Sequence, residues 1–179
     1  TPEPDLLIGK RYIVKADIST CFPSIYTHSI PWALVGKKFA KEHSSNRYNR
    51  EWYNQIDHYI QNCKNGETHG LLIGPHASNL LSEFILTVID KRLYDTGWRY
   101  IRNIDDYTCY VESAEKGQKF LLDLSNELRQ FDLNLNYKKT DIQELPVASV
   151  EQWVRKLNFV SAIQRNEKLD FIGIRAYLD

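Results

Sequence analysis

Two aspartates stand side by side at Asp105-Asp106, and a third, Asp17, closes a separate β-rich run. Adjacent carboxylates repel, so ionising both is costly unless a cation lies beside them. A hard divalent ion relieves that cost. Mg2+, or Mn2+ in its place, takes carboxylate oxygens together with substrate phosphate oxygens, and a third carboxylate at a neighbouring strand end would complete such a site. On its own an Asp-Asp pair is also ordinary turn chemistry, so the surrounding elements decide. Other metal chemistry is weakly supported: the 5 histidines lie at no ligand spacing, and the 3 cysteines show neither C-x-x-C spacing nor a disulfide framework.

The elements that must position these carboxylates follow from periodicity. Arg11 to Ile18 alternates with period two and runs into Ser19-Thr20-Cys21-Phe22-Pro23, whose proline stops a strand. Asp17 therefore belongs near a strand end. The basic stretch Lys37 to Arg50 reads as a solvated loop, and Glu51 to Lys64 as a helix carrying Trp52, Ile56, Tyr59, Ile60 and Cys63 on one face. From Pro75 to Tyr94, Ala77, Leu80, Leu81, Phe84, Ile85, Val88 and Ile89 recur at helical spacing, with Gly97 beyond the end. Trp98 to Ile104 and Tyr107 to Val111 then form a hairpin with Asp105-Asp106 at its tip. A second amphipathic helix presents Phe120, Leu121, Leu124, Leu128 and Phe131. Extended pieces follow near 133–135 and 140–145, then a helical stretch near 150–157 and a closing pair either side of 165–168. Strands mixed with two long helices predict an α+β layer, with helices on one face of a mainly antiparallel sheet.

Composition bounds the function. At 179 residues and 42% hydrophobic the chain has material for one globular domain, 1–179, and disorder or a pure coiled coil is excluded. Lys+Arg and Asp+Glu are equal at 23 each, so any nucleic-acid contact is local, not the work of a basic tail. No apolar run approaches the roughly 20 residues of a membrane span, and the start lacks the pattern of a signal peptide. Three cysteines without a framework favour a reducing cytoplasm. The chain contains no methionine, even at position 1, so the expectation is an internal piece of something longer or a sequence with residues missing.

Four motifs then occur in order. Asp17-Ile-Ser-Thr-Cys-Phe22 resembles motif A of reverse transcriptases, with its aromatic five positions after the aspartate. Gly70-Leu-Leu-Ile-Gly74-Pro75-His-Ala-Ser78-Asn79 is similar to motif B, Arg102-Asn103-Ile104-Asp105-Asp106 to the motif C box, and Asn136-Tyr-Lys-Lys139-Thr140 to motif D. Phe171-Ile172-Gly173 fits the hairpin before a thumb. Within that family, Pro23-Ser-Ile-Tyr26-Thr27-His28-Ser29-Ile-Pro31-Trp32, Ile73-Gly74-Pro75 and the region from Leu145 to Trp153 most resemble bacterial abortive-infection and phage-defence enzymes. Asn103 stands where an aromatic is usual and Leu72 where proline is frequent. Neither change removes a carboxylate.

The resemblance implies a polymerase palm, RRM-like, with fingers and thumb largely outside the chain. It implies that Asp17 and Asp105 hold two metals, that Asp106 supports the site, and that the Ile18 carbonyl ligates the nucleotide-bearing ion. Backbone amides at Thr20 and Cys21 would receive phosphate oxygens, Phe22 would crowd a ribose 2′-hydroxyl, Gly74 would admit nucleotide and template, and Lys139 would act near the leaving pyrophosphate. Read as residues alone, Phe22 is equally a core aromatic, Gly74 a helix-entry turn, Lys139 a surface lysine, and Ser78 and Asn79 solvent-facing helix positions. Tyr26, Trp32 and the Arg47 to Trp52 cluster fit core packing and a loop better than stacking on nucleic acid. The expected function is RNA-directed or template-independent DNA synthesis in anti-phage defence, with nucleic-acid template and primer and dNTPs as partners. The alternatives are a group II intron or retron-like enzyme and a non-catalytic palm-like scaffold.

Overall fold

The structure, a computed structural model, describes residues 3–146. Its contacts set off one unit, Thr1–Leu145, to which everything below belongs. The helix expected near 150–157, the pair around 165–168, Phe171-Ile172-Gly173 and most of the stretch from Leu145 to Trp153 lie outside the described residues.

The elements run α1 (Glu3–Leu7), β1 (Tyr12–Asp17), α2 (Cys21–Ser24), α3 (Ser29–Val35), α4 (Lys37–Glu42), a 3-10 turn (Asn46–Tyr48), α5 (Trp52–Asn62), α6 (His76–Asp95), β2 (Tyr100–Asn103), β3 (Asp106–Val111), α7 (Ala114–Arg129) and β4 (Asp141–Glu144). Four strands form one sheet in the order β2-β3-β1-β4, and every pairing is antiparallel. Residues directly opposite one another share a face. Val14 with Cys109, and Ala16 with Tyr107, therefore point to the same side, and all four are buried. On that side α6 and α7 add Ile85, Leu86, Ile89 and Leu93, and Phe120, Leu124 and Leu128, to one continuous core. Complete burial of each such side chain contributes roughly 1.5–3 kcal/mol before conformational entropy is set against it. Toward the Asp17 end the opposite face is open, with Lys15 and Asp106 exposed. This is the α+β layer expected from the sequence, a palm-like sheet with both long helices on one side.

Several local expectations are corrected. Lys37–Glu42 is helix α4, not loop: Ala40 is buried, and the ammonium groups of Lys37 and Lys41 lie 4.1 and 5.4 Å from the Trp32 ring centroid. Charges that suggest solvent are here laid against an aromatic ring. Helix α5 turns the expected Ile56 and Ile60 toward the core, but its buried residues are Tyr53 and Asp57, while Trp52 and Tyr59 are 55% and 63% exposed and Cys63 is exposed as well. A charged residue, Asp57, completes the inner stripe where the pattern offers Trp52 and Tyr59. On α6, Ser78 and Ser82 are buried and Leu80 is 61% exposed, so Ser78 is not a solvent-facing position. None of the described helices is long and apolar enough to cross a membrane.

Candidate active site

Asp17 ends β1 and is only 7% exposed. Its main-chain carbonyl accepts the Asn136 N–H at 2.8 Å, the Asn136 side-chain amide donates to its Oδ2 at 2.9 Å, and Lys139 Nζ approaches its Oδ1 at 3.4 Å. The segment after α7 thus holds the carboxylate from one side. On the other side β3 pairs Asp106 directly with Asp17. Asp106 also pairs with Asn103, so the turn consists of Ile104 and Asp105, one residue earlier than the expected Asp105-Asp106 tip. The cause is Ile104, a β-branched residue held at φ 57°, the left-handed region that turn rules reserve for Gly and Asn. Asp105 is tied to β1 as well, because the Ile18 N–H donates to its carbonyl at 3.1 Å.

One carboxylate oxygen from each of Asp17, Asp105 and Asp106 lies within 4.8 Å of the others. Desolvation, then the charges of Asp105 and Asp17 and a hydrogen bond with Asp17, push the Asp106 carboxyl above its ordinary range, and Lys139 opposes the shift. A cation beside these oxygens would offset the part of that shift that comes from the neighbouring charges. The donor set is all carboxylate oxygen and one member is exposed, which fits a hard divalent ion that keeps positions for substrate and water. Thiol chemistry does not compete here: burial, with Asp105 next, pushes the Cys21 thiol up to about 12, so it stays protonated.

Of the remaining sequence-derived residues, the structure brings Lys139 to the carboxylates and places Ile18, Thr20, Cys21 and Phe22 in the turn and short helix that follow β1, with Gly74 in the separate turn before α6. Ile18 is 1% exposed and bridges to Leu135. Thr20 adopts a left-handed conformation (φ 43°) immediately before α2, and Cys21 opens that helix. Phe22 is half-buried against the core, and its carbonyl accepts the Leu71 N–H at 2.8 Å, which ties the segment after β1 to the glycine turn before α6. Gly70 is required there, since a Cβ would sit 3.1 Å from the Pro23 carbonyl oxygen at φ +83°. Gly74 has φ +114° with nothing within 4 Å of a built Cβ, so its conformation needs glycine and its surroundings are open. Leu72 and Ile73 beside it are 46% and 76% exposed.

Sequence reasoning gave no role to three groups. Asn136 is one. The second is Arg102, whose guanidinium meets Glu83 and Asp90 on α6. Glu83 and Asp90 are seven apart on a helix, Tyr100 and Arg102 two apart on a strand, and those spacings are the signal that was available. The third is His28, bonded to buried Asp57, with Gln61 Nε2 donating to the same carboxylate at 2.8 Å. The Asp57 bond holds the His28 pKa above its ordinary value against desolvation. Desolvation pushes Asp57 up, yet the hydrogen bonds from His28, Thr27 and Gln61 outweigh it and hold it low. A cavity of about 470 Å³ opens beside this pair, with Tyr26, Trp32 and Lys41 also in its wall; none of the three clustered aspartates lines it.

Comparison with known proteins bears on the fold and the family. Among solved structures, telomerase from Candida tropicalis truncated from its C-terminal domain matches with a TM-score of 0.53 at 18% identity, over 83% of this chain and 34% of that one. Candida tropicalis and Candida albicans telomerases in complex with a TWJ fragment of telomeric RNA give TM-scores of 0.52 and 0.51, at 14% and 13% identity, over 77% and 78% of this chain and 26% and 28% of theirs. At such identity the likeness is one of fold, and the chain spans about a third or less of these proteins. No curated protein matches by sequence. The family model for reverse transcriptase (RNA-dependent DNA polymerase) matches residues 4–176, and this chain therefore belongs to the reverse transcriptase family.

Proposed function

We propose that the chain, 1–179, is the palm domain of an RNA-directed or template-independent DNA polymerase that takes nucleic-acid template and primer and dNTPs, with Mg2+ or Mn2+ as its cofactor. The observation that carries this reading is the convergence of three carboxylates within 4.8 Å on the open face of an antiparallel sheet. Family membership and the telomerase-like fold support it. Divalent ions bound here would supply the chemistry of two-metal nucleotidyl transfer, activating a primer 3′-hydroxyl and neutralising charge on the triphosphate and leaving pyrophosphate.

In this reading Asp17 and Asp105 are the principal ligands, Asp106 supports them and the Ile18 carbonyl completes the nucleotide side. The Thr20 and Cys21 amides receive phosphate oxygens where the chain turns into α2. Phe22 excludes a ribose 2′-hydroxyl, and Gly74 leaves room for nucleotide and template. Lys139, 3.4 Å from Asp17, acts as a cation or general acid toward the leaving pyrophosphate. The free cysteines fit a cytoplasmic enzyme. The biological role we favour is anti-phage defence, which rests on the sequence resemblance from Pro23 to Trp32.

The test is dNTP incorporation by the full-length protein, with and without added template, in Mg2+ and in Mn2+. Asp105→Asn is expected to lower it at least ~100-fold while the fold survives, since little volume changes. Near-normal activity of a folded Asp105→Asn protein would contradict the proposal. Expressed with its natural neighbours, the intact protein is expected to reduce phage plating and the Asp105→Asn form is not. Protection that outlives Asp105 favours a binding scaffold, and copying of a linked RNA without protection favours a retroelement enzyme.

A further inference from the structure

The Arg102 guanidinium makes five hydrogen bonds. Nη1 and Nη2 donate to Glu83 Oε1 and Oε2 at 2.7 Å each, Nη2 and Nε donate to Asp90 Oδ2 at 2.7 and 2.9 Å, and Nη1 donates to the Ile104 carbonyl at 2.9 Å. Its side chain is 11% exposed, and Tyr100 on the same strand adds a bond from its hydroxyl to Asp90 Oδ1 at 2.6 Å. Arginine has five N–H donors in a rigid fork and no acceptor, so the set is fully used and no other side chain can reproduce it. Four of the bonds fix the guanidinium to α6. The fifth reaches the turn residue that immediately precedes Asp105.

Ile104 sits at φ 57°, where a β-branched residue is strained, and such a conformation persists only when its surroundings over-determine it. Besides the Asn103–Asp106 pairing that closes the turn, the Arg102 bond to its carbonyl is one constraint. Another lies beyond Asp105, whose carbonyl accepts the Ile18 N–H. Asp105 is therefore pinned on both sides, by α6 through Arg102 and by β1 through Ile18. We infer that Arg102, clamped by Glu83 and Asp90, is a positioning residue that holds Asp105 in register with Asp17 and Asp106. The brace lies on the helix-facing side of the sheet, away from the open face, and acts through the turn backbone. This inference rests on the proposed role of the carboxylates in the reaction, and its test separates the two.

Arg102→Lys keeps the charge but cannot bond two carboxylates and a carbonyl at once. Glu83→Gln, at a side chain 38% exposed, keeps one acceptor, sets an amide donor against the guanidinium in place of the other and removes the charge, which weakens the clamp with less risk to folding. Two readouts are made on the full-length protein. In the first, without metal, the Ile18 amide, whose acceptor is the Asp105 carbonyl, is expected to exchange with solvent at least ~10-fold faster in both variants, with α7 amides unchanged. In the second, the Mg2+ concentration for half-maximal dNTP incorporation is expected to rise at least ~5-fold, with the dNTP KM nearly constant and the rate recovering at high Mg2+. A purely structural Arg102 would speed exchange throughout the domain and leave the Mg2+ dependence unchanged, and that result would overturn the inference. So would wild-type exchange at Ile18 in a folded Glu83→Gln protein. If Asp105→Asn remained active, the reading of the site would fall, whereas the metal-free exchange would still decide whether the brace exists.

Discussion

The two faces of the β2–β3 hairpin handle acidic side chains in opposite ways. On the helix-facing side Glu83 and Asp90 share one guanidinium that satisfies both, and the Arg102 bond holds Glu83 below its ordinary range. On the open side Asp17, Asp105 and Asp106 crowd together, and Asp17 meets one lysine ammonium at 3.4 Å and one asparagine amide at 2.9 Å. A few residues separate a charge cluster that is complete from one whose repulsion a further cation would relieve. The first arrangement stabilises the fold and the second is suited to chemistry, which is where natural proteins carry local destabilisation.

The sharpest way to break this contrast is to empty the completed side. Arg102→Ala leaves Asp90 and Glu83 without their partner, and urea denaturation is expected to show a loss of about 3 kcal/mol, somewhat less if the half-exposed Glu83 hydrates. A loss under ~0.5 kcal/mol would mean that the guanidinium does not organise this side. A second test probes the edge of the open side. Phe22→Ala is expected to lower the preference for dNTPs over NTPs about 10-fold without altering the metal requirement, read from single-nucleotide incorporation by the full-length protein. An unchanged preference would make the ring a packing residue only.

How far this contrast was legible in the sequence differs between the sides. The carboxylates announce themselves because they lie within short local patterns, and α6, α7 and the strands follow from periodicities of 3.6 and 2. The Arg102 brace joins residues 12 and 19 positions apart across two elements, and such pairings leave only weak local traces. Only Ile56 and Ile60 of the expected α5 face pack inward, because Asp57, which sequence rules send to solvent, is buried and bonded to His28. The hairpin tip was placed one residue late because Ile104 occupies a conformation that its side chain disfavours. In each case a tertiary contact overrides the local preference.

The smallest effect concerns the uncompensated side alone. Because the Asp106 pKa lies above its ordinary 3.8 in the folded chain, the folded state binds that proton more tightly than the unfolded state does. In EDTA its contribution therefore turns unfavourable as pH rises from about 3.8 through the raised value. Asp106→Asn removes the charge, and its melting temperature at pH 7 is expected to exceed that of the unmutated protein by ~1–3 °C. The difference should shrink as pH falls toward 3.8, below which the carboxyl is protonated in both states. A lower melting temperature at pH 7 would mean that the Asp106 carboxylate is stabilised by partners that outweigh its neighbours' repulsion.

The most direct test of the central claim, that the three aspartates form one divalent-cation site, is titration of the full-length protein with Mn2+, following free ion by electron paramagnetic resonance. Asp17→Asn, Asp105→Asn and Asp106→Asn are each expected to weaken binding at least ~10-fold, while Asp57→Asn, which alters the separate pair with His28, leaves it unchanged. Equal Mn2+ affinity in the unmutated protein and all three cluster variants would contradict the account.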